Sequence, residues 1–157
     1  MNEYKNRLLI LLRHPEDNKD SSNLTRTGRL QAKEIAELLK DNLLDQELKI
    51  GIFSSPANRT TFFAKEIKKA LELEDEIDVD SSLLSPDSAA VHLESCELPI
   101  MVVVTHKEVI SNLVSWAGDK FGIDIQKEHL QKPRFASGWV MADKKIKKIG
   151  PKKYCNQ

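Results

Sequence analysis

The chain has 157 residues, 40% hydrophobic and 31% charged, which is enough for a core without disulfides or metal and typical of an ordinary globular protein. Its 24 Lys and Arg balance 24 Asp and Glu, so no global field argues for nucleic acid or a membrane surface as a partner. Cys96 and Cys155 lack CxxC spacing and read as reduced thiols of a cytoplasmic protein, the apolar run at 8–12 is too short for a signal peptide, and no segment has the length of a membrane span.

The run Leu8-Leu9-Ile10-Leu11-Leu12 has the continuous apolarity of a buried central strand. A polar loop follows over 15–23, and Thr25 is placed to cap a helix over 26–42, with Leu30, Ile35, Leu38 and Leu39 inward and Lys33 and Glu37 outward. Gly28 in its first turn costs helix propensity and so predicts close packing there. Residues 49–53 predict a second strand, ended by Ser54-Ser55-Pro56. A helix from about Asn58 follows, with Phe63, Ile67, Ala70 and Leu71 on one face. Weak alternation over 77–83 predicts a third strand, and Ala89, Ala90 and Leu93 a short helix. Residues 99–104 are the strongest buried-strand signal, rich in β-branched side chains. A helix over 109–120 and one or two Lys-flanked edge strands at 135–141 and 145–149 complete the chain. The alternation predicts one α/β domain over 1–157, a three-layer sandwich with a mostly parallel central sheet between helices.

In open α/β sheets, ligands gather beyond the carboxyl ends of the strands. Arg13-His14 follows the first strand, Arg59 follows the second by one tight turn, and His106 ends the Val-rich strand. Taken singly, each has a bland explanation: a solvated His at a strand end, or an Arg opening a helix. Together they put four groups able to bind or accept phosphate at one edge of one sheet.

These residues also carry a resemblance. Leu-Leu-Arg13-His14 after a first strand is similar to the signature of the histidine phosphatase (phosphoglycerate mutase-like) superfamily. Leu24-Thr25-Arg26-Thr27-Gly28 resembles its Leu-Thr-x-x-Gly element, Ser54 to Arg59 its Ser-Pro-x-x-Arg turn, and Thr105-His106 its second histidine. The brief insert between Leu83 and Pro99 is most like that of the short SixA phosphohistidine phosphatases. The resemblance implies that His14 is the nucleophile and that Arg13, Arg59 and His106 bind the transferred phosphoryl group, without cofactor or metal. The residue chemistry agrees. Phosphoryl transfer spreads charge over three equatorial oxygens, and an Arg fork matches those oxygens while staying charged. A hydrogen bond from the second ring nitrogen to a backbone carbonyl would hold His14 in the attacking tautomer. His106 is the better candidate for a charged donor, because adjacent phosphate would raise its pKa.

Pro15 stands where the family usually has a small residue. It removes one N–H from the site and favours an extended His14. Candidate proton donors are Asp87, Glu94 and Glu16, with Asp17 beside it, none in a recognisable motif. Imidazole leaves from a P–N bond with little acid help, so weak acid provision favours protein phosphohistidine as substrate. The alternatives are a small sugar or nucleotide phosphate, or a non-catalytic phosphate-binding module. His92 and His129 have no partners at ligand spacing, Trp116 and Trp139 read as packing residues, and Arg134 is in reach of the pocket rim. The Lys-rich segment 144–153 lacks interleaved aromatics and reads as an exposed strand.

Overall fold

Residues 4–21 and 23–154 are described by a computed structural model of the chain. Cys155 lies outside them. Six strands, β1 (Leu8–Arg13), β2 (Ile50–Ser54), β3 (Asp78–Val79), β4 (Ile100–Thr105), β5 (Gly138–Ala142) and β6 (Lys145–Ile149), form one sheet in the order β3-β2-β4-β1-β5-β6. The two most apolar runs, β1 and β4, lie at its centre. They can be continuously apolar because helices cover both faces. Ile10, Leu12, Val102 and Val104 share a core with α1 (Arg26–Leu43) and α2 (Asn58–Ala70). On the opposite face, Leu9, Leu11, Met101 and Val103 pack with α3 (Pro86–Glu94) and α4 (Lys107–Phe121). This is the expected three-layer α/β sandwich.

The sheet is mixed, however, rather than mostly parallel. Strands β1 to β4 pair in parallel, whereas β5 pairs antiparallel with β1, and β6 antiparallel with β5. The end of α4 explains this. Phe121 accepts a backbone bond from Lys144 in the β5–β6 turn, at the far edge of the sheet. The chain then crosses back through a 3₁₀ turn (Lys127–Leu130) and enters β5 from the edge where β1 ends. The tight turn at Lys144, with φ of 57°, leaves β6 only an antiparallel return.

Three local expectations also change. Only Asp78–Val79 of the 77–83 segment is strand, because the Asp80 carboxylate accepts the Ser82 N–H at 2.7 Å and starts a 3₁₀ turn (Ser81–Leu84). Strand β5 begins at Gly138 rather than Phe135, since Ala136 has φ of 56° and turns the backbone before pairing starts. Its first residue has to be small, as a Cβ on Gly138 would stand 1.7 Å from the Leu11 carbonyl oxygen. On α1, Leu38 is 40% exposed, and the buried stripe runs instead through Gly28, Ala32, Ile35, Ala36, Leu39 and Leu43.

The start of α1 is fastened to the loop after β1. Thr25 Oγ1 accepts the Gly28 N–H, and the Thr25 hydroxyl donates to the Glu16 carboxylate at 2.8 Å. The Glu16 N–H is taken by buried Gln31 at 2.9 Å. A Cβ on Gly28 would lie 2.0 Å from the Glu16 carbonyl oxygen. Gly28→Ala is therefore expected to destabilise the chain by about 1–3 kcal/mol by overpacking, despite a helix-propensity gain of about 1 kcal/mol. Urea unfolding checks this, and a more stable variant would refute the close approach.

Candidate active site

Parallel pairing sets Arg13 opposite Thr105 and Ser54 opposite Val104, so three strand ends share one edge. Backbone bonds continue past those ends. His14 N–H donates to Thr105 O at 3.0 Å, Ser55 N–H to Val104 O at 3.2 Å, and Ala136 N–H to His14 O at 3.0 Å. Both backbone groups of His14 are thereby fixed between β4 and the segment entering β5. The structure thus brings Arg13, His14, Arg59 and His106 to one place.

His14 is buried, with 7% exposure. Its Nδ1 lies 2.8 Å from the Pro15 carbonyl oxygen. A carbonyl only accepts, so Nδ1 carries the proton and Nε2 holds the lone pair. The proline that removes an N–H from the site supplies, through its own C=O, the bond that fixes this tautomer. Burial lowers the His14 pKa to about 4, and the neighbouring Arg13 and Arg59 guanidinium groups add to that, against the opposing Pro15 bond and Asp17. His14 is therefore neutral at neutral pH.

His106 precedes α4 with an extended backbone, and its ring centroid lies 5.5 Å from that of His14. Its Nε2 is 3.0 Å from Ser55 Oγ, and Arg59 Nη2 makes a long 3.5 Å approach to its Nδ1. A guanidinium only donates, so Nδ1 is the acceptor and Nε2–H donates to Ser55. The expected charged donor is thus neutral in the absence of an anion: burial, chiefly, and Arg59 hold its pKa below the ordinary value.

Arg59 owes its place to the Ser54-Ser55-Pro56 turn, which the Thr60 hydroxyl ties down through bonds to Ser55 O and Ala57 O. Arg13 Nη1 donates to Pro133 O at 3.0 Å, and its guanidinium carbon lies 4.1 Å from the centroid of the Phe135 ring. Nε of Arg13 and Nε of Arg59 are both shielded from solvent and have no hydrogen-bond partner among the described residues. Unpaired cationic N–H groups beside two neutral imidazoles leave an electropositive deficit that an anion would fill.

Sequence reasoning did not select two residues of this site. Asp17, weighed only as a secondary donor, places Oδ2 3.6 Å from Arg59 Nη1 and Oδ1 3.9 Å from His14 Nδ1. Its nearest approach to His14 is at Nδ1, not at the nitrogen bearing the lone pair. Its i,i+3 spacing from His14 was the available signal. Phe135, expected in a strand, packs its ring 5.7 Å from His14. Only the mixed sheet brings it there.

The selected donors are engaged or exposed. Glu16 is engaged with Thr25, Asp87 is exposed on α3, and exposed Glu94 pairs with Lys120. The two remaining histidines do have partners. His92 Nε2 is 2.9 Å from Asp78 Oδ2, a contact between chain segments that local spacing cannot reveal. His129 Nδ1 accepts the Gln126 N–H at 2.9 Å, and its ring meets Trp139 edge-on. Arg134 is exposed and lines a cleft next to Phe135.

Residues 9–83 match the histidine phosphatase superfamily (branch 1). That span holds Arg13, His14, the Thr25–Gly28 element and Arg59, and the fold brings His106 to them. Over that span, 75 of the 157 residues, the chain resembles the histidine phosphatase superfamily. No curated protein matches it by sequence. Among solved structures, the protein histidine phosphatase SixA complexed with tungstate is 17% identical, with 85% of each chain covered and a TM-score of 0.65. A mycobacterial glucosyl-3-phosphoglycerate phosphatase is 16% identical over 85% of this chain and 89% of its own, at a TM-score of 0.64. Phosphoglycerate mutase from Plasmodium falciparum is 17% identical over 96% and 93%, at 0.61. At such identities the likeness is one of fold, and these three relatives differ in their named substrates. Among the described residues, no helix is long and apolar enough to cross a membrane.

The depressed His14 pKa couples stability to pH. Between pH 6.5 and 4 the unfolded chain binds a proton that folded His14 does not, so stability falls as pH falls through that window. At pH 5 the loss is about 2 kcal/mol. Urea unfolding at pH 8 and pH 5 should show wild type losing about that much more than His14→Gln. Equal losses, or an NMR titration placing His14 near 6.5, would overturn the assignment.

Proposed function

We propose that this chain is a histidine phosphatase that dephosphorylates phosphohistidine on protein through a phosphoryl group carried on His14. The observation that carries this reading is the neutral, tautomer-fixed His14 facing two guanidinium groups with unpaired Nε–H. In the first step the Nε2 lone pair forms a bond to phosphorus while the substrate P–N bond breaks, and the departing imidazole keeps that electron pair. Arg13 and Arg59 neutralise charge on the three equatorial oxygens, the main source of catalysis in such transfers. The bound anion raises the pKa of His106, whose Nδ1 then donates to an oxygen. In the second step water attacks phospho-His14 and releases inorganic phosphate, and Nε2 regains its lone pair.

The substrate class rests on the leaving group. Asp87 is exposed on α3, Glu94 pairs with Lys120, Glu16 takes the Thr25 hydroxyl, and Asp17 is engaged with Arg59 on the Nδ1 side of His14, so no carboxylate is committed to a leaving group. An alkoxide without a proton donor is slowed by about 10²- to 10⁴-fold. Imidazole is far less sensitive. A second reading, hydrolysis of a small phosphorylated molecule, draws support from a cleft of about 320 Å³ beside Phe135. Its lining by Arg134, Lys148 and Lys152 suits a further anionic group on such a substrate.

A phosphohistidine peptide should turn over faster than any sugar phosphate, and the reverse order would sink the substrate assignment. Mass spectrometry should trap phosphate on His14, and His14→Ala should abolish turnover without unfolding the chain. Arg59→Ala should lower kcat by about 10³-fold or more, and an unchanged kcat would remove Arg59 from the reaction.

A further inference from the structure

Outside the catalytic cluster, three chemically different donors meet at the edge of the sheet. Asp78 lies on β3, His92 in the last turn of α3, and Cys96 four residues further on, just beyond the helix end. One ligand atom from each lies within 4.8 Å of the other two. The turn that closes α3 accounts for half of this, since it brings the Cys96 thiol to the His92 carbonyl oxygen at 3.4 Å. The parallel pairing of β3 with β2 accounts for the rest, because it sets Asp78 opposite Phe53, whose ring meets His92 edge-on at 6.1 Å.

We propose that Asp78, His92 and Cys96 bind a zinc-class divalent ion that staples the edge strand β3 to α3. The donor set selects the metal. A thiolate and an imidazole favour zinc and its soft or borderline neighbours, whereas calcium and magnesium require oxygen. The present separations, from 2.9 Å up to 4.8 Å, bracket those of a zinc site. Ligand atoms around tetrahedral zinc lie about 3.3–3.6 Å apart. His92 Nε2 and Asp78 Oδ2 already approach to 2.9 Å, so modest side-chain rotations bring the set into range. The other ring nitrogen of His92, Nδ1, is 3.9 Å from Asp80 Oδ2. A carboxylate facing the second nitrogen is the usual outer partner of a metal-bound imidazole. Access is open, because Asp78 and Cys96 line a surface cleft of about 350 Å³, which leaves room for water as a fourth ligand.

On binding, the Cys96 S–H bond breaks, its proton passes to buffer, and the sulfur pair forms the metal–sulfur bond. No oxidant is required. The ion would brace the segment that contains the Ser81–Leu84 turn, where Leu83 O accepts the Thr105 hydroxyl at 2.6 Å next to His106.

The test uses the full chain stripped with chelator and titrated with Zn²⁺ by calorimetry, and with Co²⁺ by absorbance. One equivalent of zinc should bind tighter than about 10 µM, more weakly than complete four-ligand sites, and raise the thermal midpoint. Cobalt should give the sulfur charge-transfer band of a thiolate site. Cys96→Ser, nearly isosteric and confirmed as folded by circular dichroism, should abolish the band. Cys96→Ser and His92→Ala should each weaken zinc by more than the roughly 10- to 100-fold typical of outer-partner loss. Cys155→Ser and His14→Ala should retain full binding. Zinc affinity unchanged in Cys96→Ser, affinity lost in His14→Ala, or no binding by wild type would each overturn the proposal.

Discussion

The site depends on the parallel register of β1, β4 and β2. Arg13 opposite Thr105 and Ser54 opposite Val104 make three carboxyl ends level. Because β1 and β4 are covered on both faces, a slip by one residue would send Ile10, Leu12, Val102 and Val104 to the wrong core. The hydrophobic cost of that exchange locks the alignment. The groups of the proposed site are thus positioned by apolar side chains of the two cores.

On that frame the chemistry is set by burial and by one hydrogen bond. Removing His14 from water pushes its pKa down and keeps the ring neutral, while the Pro15 carbonyl takes the Nδ1 proton and leaves Nε2 free. The same burial places two guanidinium groups near each other, with Asp17 as the carboxylate in contact with Arg59. Repulsion between these cations is offset by an anion placed between them, which is how a preorganised site favours developing negative charge. The low pKa of His14 also makes the chain less stable in acid, so function and stability draw on one desolvated ring.

The antiparallel pair β5–β6 contributes more than an edge. By entering the sheet beside the end of β1, it delivers Phe135 against His14 and Arg13, and its left-handed Ala136 gives its N–H to the His14 carbonyl. A purely parallel sheet would have put that segment at the opposite edge. On the other flank, β3 is reduced to two residues because Asp80 caps a 3₁₀ turn, and that turn reaches Thr105 beside His106. Both departures from regular alternation lie next to the functional groups.

By itself the sequence determined the element types, the central place of β1 and β4, and the four residues Arg13, His14, Arg59 and His106. Continuous apolar runs, a capping Thr25 and turn chemistry at Ser54 to Pro56 are local signals, and strand ends fix where the next polar side chain falls. Gly28 was legible for the same reason, since a glycine in a helix is costly without a close neighbour. The tertiary structure alone decided the direction of β5, the approach of Asp17 and Phe135, the pairing of Glu94 with Lys120, and the meeting of Asp78 with His92 and Cys96. Those contacts join segments whose separation is set by how the chain returns across the sheet, and no periodicity or local propensity encodes that path.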